Sequence, residues 1–399
     1  MQTSTASLSR NDERGIHEIE LLDGESIGKD LFARWLKELD SPFPRSLFQS
    51  SEYFDFLLAT ERPGDLGVVL MTAVKSGQVC GLIPIRRTSH PLKLSVGKHS
   101  FGAISLNAIQ ILGSLPNMHA LPHRFDEFVQ LLMRTFPDAD ALCLESVPVR
   151  SWLWRHISTS EAIRRSFHVY VPYGPRQWYS IDLPQSFQQY QDRFSAKQRY
   201  NLTRQVRRLR DHGGGLLQLR RIASAEHVRE FVASMQTLAT QQERTEILRP
   251  NQYAALADRG LLLSFVLVCG ALPCAIAFGT RHASTLQVHT LFYDRSVWPL
   301  SPGTTLQYMI VQNVIETGVV SRIEFGYSPG TASTSSVNDG AAKGQVLLMR
   351  KNTGNLAKKI LHALFCEIIL KAKRFCQRST ATRIRVAGLF AARTGRDGR

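Results

Sequence analysis

Acidic residues almost vanish from the last part of this sequence. From Lys343 onward there are 14 lysines and arginines against two acids, Glu367 and Asp397. That segment carries +12 of the formal net charge of +16 on 399 residues, so the preceding 342 residues hold only +4. An evenly charged body of this kind argues against a broad nucleic-acid groove and confines the basic character to an arm. Paired cysteines are missing too. Cys80, Cys143, Cys269, Cys274, Cys366 and Cys376 include no Cys-x-x-Cys step, so neither a zinc site nor a disulfide framework is indicated and no metal is expected. A reducing cytoplasm fits this usage. The first residues, MQTSTASLSRNDERG, lack the apolar core of a signal peptide and read as a disordered lead-in over 1–15.

Charge is absent from one further stretch, between Arg259 and Arg281, where GLLLSFVLVCGALPCAIAFGT is apolar enough to resemble a membrane span. Pro273 would interrupt a helix there, and Gly270-Ala271 is a turn signal flanked by β-branched and aromatic residues. Two buried strands joined by a tight turn account for all of these features.

What is present is an alternation of helices and strands, with 43% hydrophobic residues to build cores. FQSSEYFDFLL reads as a helix capped by Ser50 or Ser51. Gly67–Val74 and Val79–Ile85 flank a turn, His123–Phe136 reads as a helix, and Ala141–Val147 as a buried strand. The second half repeats this order. It opens on FSAKQRYNLTRQVRRLRDHGGG, in which Ser195 and Gln198 form a capping box and Leu202, Val206 and Leu209 an apolar stripe before the glycines. Lys197, Arg204 and Arg208 share another face of that helix, either a solvated face or a groove for a phosphate-bearing or saccharide-linked substrate.

The most informative stretch is WPLSPGTTLQYMIVQNVIETGVVSRIEFG, a sharp loop, a helix and a short buried strand. Thr304 is placed to cap the helix, and Leu306, Met309, Ile310 and Val314 form one face until Gly318. Anchored by that face, the first-turn amides and the positive dipole end are available to an anionic ligand.

Taken together, these pieces resemble the GNAT-like acyltransferases of the CelD/BcsL group, relatives of the FemA/FemB-type transferases built from two tandem GNAT domains. The resemblance covers most of the chain. It rests on FQSSEYFDFLL, GLIPIRR, ILGSLPN, FSAKQRYNLTRQVRRL, GALPCAIAFG and FYDRSVWPLSPGTTLQYMIVQNVIETGVVSRIEFG. It implies an α/β fold of two tandem GNAT-like domains, each a mixed sheet flanked by helices. The expected division is 16–180, then 181–350 with the acyltransferase machinery, then a basic helical tail over 351–399. Leu286–Tyr293 would be the strand that splays to admit the pantetheine arm of acetyl-CoA or another acyl-CoA. Backbone amides around Ser301, Gly303, Thr304 and Thr305 would hold the pyrophosphate, with Arg295 as a charge partner. The pyrophosphate loop of simple GNAT enzymes is richer in glycine, whereas only Gly303 stands here.

Acyl transfer needs a base for the nucleophile, a stabilised oxyanion and a proton for the leaving thiolate. Glu324 and His289 are the candidate bases, and Tyr293 and Tyr327 the candidate proton donors. The family pattern of an acidic residue and glycines on the last strand, followed by a lysine, is met by Glu324, Phe325, Gly326 and Lys343. TASTSSVNDGAA between them reads as a lid or a disordered insertion. The acceptor class is an amino sugar, a lipid-linked or other saccharide, or a similar small molecule, in keeping with the family's link to extracellular polysaccharide production. Two alternatives stand beside it: an aminoacyl-tRNA-dependent Fem-type peptidyltransferase, and a non-catalytic protein docking on membrane or polysaccharide-synthesis machinery. In NLAKKILHALFCEIILKAKRF, Leu356, Ile360, Leu364 and Ile368 lie beside several lysines. That helix either packs on the body or rests on an anionic membrane surface at the inner face.

Overall fold

A computed structural model describes residues 7–10, 17–39, 46–74, 76–96, 99–116, 122–240, 243–327 and 342–372. Residues 331–341 of the segment TASTSSVNDGAA and the chain beyond residue 372 lie outside these residues.

The first half contains β1 (Ser7–Arg10), β2 (His17–Asp23), α1 (Gly24–Glu38), α2 (Ser51–Thr60), β3 (Leu66–Ala73), β4 (Val79–Val96), β5 (His99–Ile111), α3 (Pro122–Thr135) and β6 (Ala141–Pro148). Next come α4 (Trp152–Thr159), α5 (Glu161–Ser166), β7 (Phe167–Tyr170), β8 (Arg176–Gln177) and β9 (Tyr179–Asp182). The second half runs through α6 (Phe187–Gln191), α7 (Ala196–His212), β10 (Leu217–Ile222), α8 (Val228–Leu238), α9 (Pro250–Asp258), β11 (Ser264–Cys269), β12 (Leu272–His282) and β13 (Thr285–Tyr293). It closes with α10 (Pro302–Thr317), β14 (Arg322–Gly326) and β15 (Ala342–Arg350). A last helix, α11, spans 353–372.

Local sequence explains most of these limits. The Ser50 hydroxyl accepts from the Tyr53 amide at 3.1 Å and starts α2, and Ser195 with Gln198 closes the expected capping box on α7. The charge-free stretch forms the hairpin β11–β12, and no described helix is long and apolar enough to cross a membrane. Part of the expected disordered lead-in is ordered: Ser7–Arg10 pair antiparallel with His17–Glu20, because β2 would otherwise leave a bare sheet edge.

Two mixed sheets result. One runs β1-β2-β3-β4-β5-β6-β15-β7, with β8 beside β15; the other runs β10-β11-β12-β13-β14-β9. In each, an antiparallel meander leads into one parallel pair, β5 with β6 across α3 and β13 with β14 across α10. The repeated order of elements in the sequence is thus a repeated topology. The closing strands, however, are exchanged. β15, from the end of the second half, pairs with β6 and β7 in the first sheet, and β9, from the link, pairs with β14 in the second. A boundary at 180/181 therefore cuts through β9, and a second unit ending at 350 includes a strand of the first sheet.

Helices α1, α2, α8 and α9 lie between the sheets and share one core, which includes Phe32, Phe54, Phe231, Tyr253 and Phe278. Phe32 stacks on Phe54 at 4.2 Å, and Arg259 of the second half pairs with Asp55 of the first at 2.7 Å. The two halves are therefore fixed against each other along an apolar seam. The outer faces are closed by α3, α4 and α5 on the first sheet and by α7 and α10 on the second.

Candidate functional site

Strands β13 and β14 pair only over Thr285–Gln287 and Arg322–Glu324, and then part. Beyond that point β13 continues to Tyr293 with β12 on its other edge, so its amides and carbonyls on the β14 side lack a strand partner. A cleft of about 450 Å³ opens there, lined by Val288, His289, Leu291, Tyr293, Phe325 and the start of α10. On the opposite side of the same pairing, a cavity of about 860 Å³ lies between the halves. Gln287 and Glu324 line that cavity while their neighbours Val288 and Phe325 line the cleft. Alternation along two strands thus brings both spaces to the point of divergence.

Helix α10 is held by Leu306, Ile310, Val311 and Val314, all fully buried. Each such side chain contributes about 1.5–3 kcal/mol on burial, enough to fix the helix start relative to β13. The cap is Ser301, in the left-handed region at φ 59°, and Pro302 occupies the first helical position. Thr304 is therefore inside the helix: proline's fixed φ and missing N–H suit the first position and move the start three residues earlier than the sequence suggests. The Ser301 amide donates to the Trp298 carbonyl at 2.9 Å and the Thr305 amide to the Ser301 carbonyl at 3.0 Å. Of the four expected backbone donors, Gly303 and Thr304 remain as the first-turn amides that helix geometry leaves open, and both line the cleft. Gly303 is also where helix and strand come closest. A Cβ there would lie 3.3 Å from Leu291 Cδ2 and 3.5 Å from the Tyr293 ring. Arg295 does not face the cleft; its guanidinium donates to Glu243 at 3.0 Å. Burial pushes the Glu243 carboxyl up, but hydrogen bonds from Thr240 and the Arg295 charge outweigh it and hold the pKa below its ordinary value.

His289 lines the cleft from β13. Its Nε2 lies 2.7 Å from Thr280 Oγ1, and its ring stacks on Phe278 at 5.0 Å. Water reaches the ring through the cleft, yet protein surrounds it, and that desolvation lowers its pKa to about 4, so the imidazole is neutral near pH 7. Tyr293 flanks the helix start at the cleft mouth. Tyr327 lines neither space: its hydroxyl donates to Ser146 at 3.3 Å, its ring meets Trp178, and Arg176 lies over it at 4.1 Å.

The Glu324 carboxylate lies in the larger cavity, 3.4 Å from Arg322 Nε. Arg322 is fixed in turn by Asp182 at 2.7 Å and Ser180 at 2.9 Å, both on β9. Lys343 enters the cavity from β15, with its ammonium 4.0 Å from the Trp178 ring centre. Burial lowers the Lys343 pKa, opposed by the Glu324 carboxylate. Ser46, Gln49, Ser114 and His282 add polar groups to the wall. Sequence spacing could not assemble this set, because its members come from five separated segments. Arg322, two residues from Glu324 on one strand face, was the member local alternation could have offered.

Lys197, Arg204 and Arg208 are exposed on α7 and line neither space. One further cluster is a product of the fold: Cys143, Glu145 and His90 approach one another on the first sheet, where the Cys143 thiol donates to Glu145 at 3.3 Å and Gln345 donates to the same carboxylate at 2.7 Å.

Residues 196–332 match the model of the acetyltransferase (GNAT) domain family. No curated protein matches the sequence. Among solved structures, FemX is similar at 11% identity and a TM-score of 0.51, over 81% of this chain and 96% of that one. A tandem GNAT protein from the clavulanic acid biosynthesis pathway is similar at 11% identity and a TM-score of 0.50, over 84% and 99%. At such identities these likenesses speak for the fold, two GNAT-like units in tandem, and the matched domain makes the chain an acyltransferase.

Proposed function

We propose that this acyltransferase takes its acyl group from an acyl-CoA and transfers it to an amine or hydroxyl of a small polar acceptor such as an amino sugar or saccharide. The observation that carries the reading is the parting of β13 from β14 between a cleft at the start of α10 and a polar cavity containing Glu324. The open edge of β13 suits an extended pantetheine arm, whose amides would pair with it as an added strand does. The Gly303 and Thr304 amides and the helix dipole suit the pyrophosphate. The thioester carbon would then stand where the strands part.

From the other side, the acceptor would approach through the larger cavity. Glu324, fixed by Arg322, takes the proton of the attacking amine or hydroxyl as the new bond forms. Amides of β13 beyond Gln287 offer donors to the oxyanion, and Tyr293 at the cleft mouth offers a hydroxyl to the departing thiolate. Polar walls and the Lys343 charge favour a polyhydroxylated or anionic acceptor over an apolar one, in keeping with a role in polysaccharide biosynthesis.

Calorimetric titration with acetyl-CoA and longer acyl-CoAs, repeated on Gly303→Trp, tests the donor. Saturable binding that is lost in the variant supports the reading and identifies the acyl length. Absence of binding to every thioester overturns it in favour of aminoacyl-tRNA as donor, for which the exposed basic face of α7 would be the contact to examine, or of a role without catalysis.

A further inference from the structure

Helix α11 is docked on the protein with its polar side inward. Asn355 is buried and donates to the Asp140 and Arg350 carbonyls, at 3.2 Å and 3.1 Å. His362 is fully buried, with Nδ1 2.6 Å from the Tyr170 hydroxyl, and Lys358 pairs with Asp140 at 3.0 Å. At 100° per residue these three lie on one side of the helix. The opposite side carries Leu356, Ile360, Leu361, Leu364, Ile368 and Leu370, each between 38% and 64% exposed. Phe101 of β5, 68% exposed, extends this apolar surface through its edge contact with Phe365 at 6.2 Å.

An amphipathic helix normally buries its apolar stripe, and a contiguous exposed stripe of this size marks a binding surface. We propose that the outer face of α11 docks on an anionic lipid bilayer, lying in the plane of the headgroups. Charge selects this occupant. Beyond the helix the chain has eight further lysines and arginines and one acid, Asp397, which an anionic surface attracts. Pairing with the same face of a second copy would bring two such segments together. A bilayer also suits the geometry, because aliphatic side chains enter the acyl boundary while Lys359 at the flank and Lys371, paired with Glu367 at 2.8 Å on the outer side, extend their ammonium groups to phosphates. The helix is too short in apolar residues to cross the bilayer, which leaves the interfacial orientation.

The test is co-sedimentation of the full chain with vesicles of phosphatidylglycerol and phosphatidylcholine, compared with phosphatidylcholine alone, at low and high salt. Leu364→Asp/Ile368→Asp changes only exposed side chains, so it should keep the wild-type melting temperature. Expected is binding to the anionic vesicles, weakened by salt and by at least about tenfold in the double variant. Charge reversal at Lys359 and Lys371 should weaken binding to anionic vesicles alone. Failure to sediment overturns the proposal, and so does equal binding of the double variant, which would assign attraction to the terminal charges only. Equal binding to neutral and anionic vesicles overturns the lipid class. A dimer in sedimentation velocity that the double variant dissolves, without vesicle binding, would assign the face to a second copy. Acyl-CoA titration is a separate readout, so failure here leaves the transferase reading standing.

Discussion

Glu324 and His289 occupy different spaces although the sequence offers them as rivals for one role. Glu324→Gln should lower kcat by about 10²–10⁴-fold with little change in KM, measured by release of CoA thiol, because it removes a proton acceptor and keeps the shape. Unchanged turnover would exclude Glu324 as the base. His289 has a different signature. Its pKa is depressed from 6.5 to about 4, so below pH 6.5 the unfolded chain binds a proton that the folded chain refuses. Folded stability from this group is full above that value and falls as the pH drops toward 4. Urea unfolding at pH 7.5 and pH 5 should therefore show a larger loss for the wild type than for His289→Gln, and parallel losses would mean that cleft water relieves the desolvation. Both residues were legible as polar groups on expected strands, Glu324 between Ile323 and Phe325. Their separate surroundings were not, because Phe48, Phe278 and Arg322 reach them through packing and strand register.

At the level of elements, caps and periodicity carried far. Helices α2, α3, α7 and α10 and the turns of both hairpins lie within a few residues of where their sequence signals put them, whereas β4 runs on to Val96 rather than ending at Ile85. The start of α10 moved because Pro302 takes the first helical position and Ser301, in a left-handed conformation, becomes the cap. Close packing between elements was equally hidden. Gly213, at the end of α7, sits back to back with Gly270 of the β11–β12 turn, where an added Cβ would lie 2.5 Å from the Leu216 carbonyl oxygen and 2.6 Å from the Gly270 nitrogen. Gly213→Ala should cost about 1–3 kcal/mol in urea unfolding, because both neighbours are backbone and cannot swing aside. Gly214→Ala meets open space at φ +66° and should cost about 1 kcal/mol or slightly more, from backbone strain alone. Equal costs would show that the α7–β11 corner relaxes readily.

For the molecule as a whole, the exchanged strands and the common core bind the halves into one unit. Unfolding followed by tryptophan fluorescence and by far-ultraviolet circular dichroism should give a single coincident transition; two resolved transitions would mean that the seam around Phe54 and Phe278 is weaker than its burial implies. The tandem order was readable from the repeated pattern of elements, whereas the exchange was not, since strand partners so far apart leave no periodic trace. The destination of β15 also sets a timetable for synthesis. A ribosome adding about 5–20 residues per second completes β7 roughly 10–30 s before β15 emerges. Through that interval β6 and β7 have no strand between them, and their buried-type residues Leu142, Leu144 and Phe167 stand beside unpaired backbone. The gap leaves an open sheet edge until residue 350 has cleared the exit tunnel.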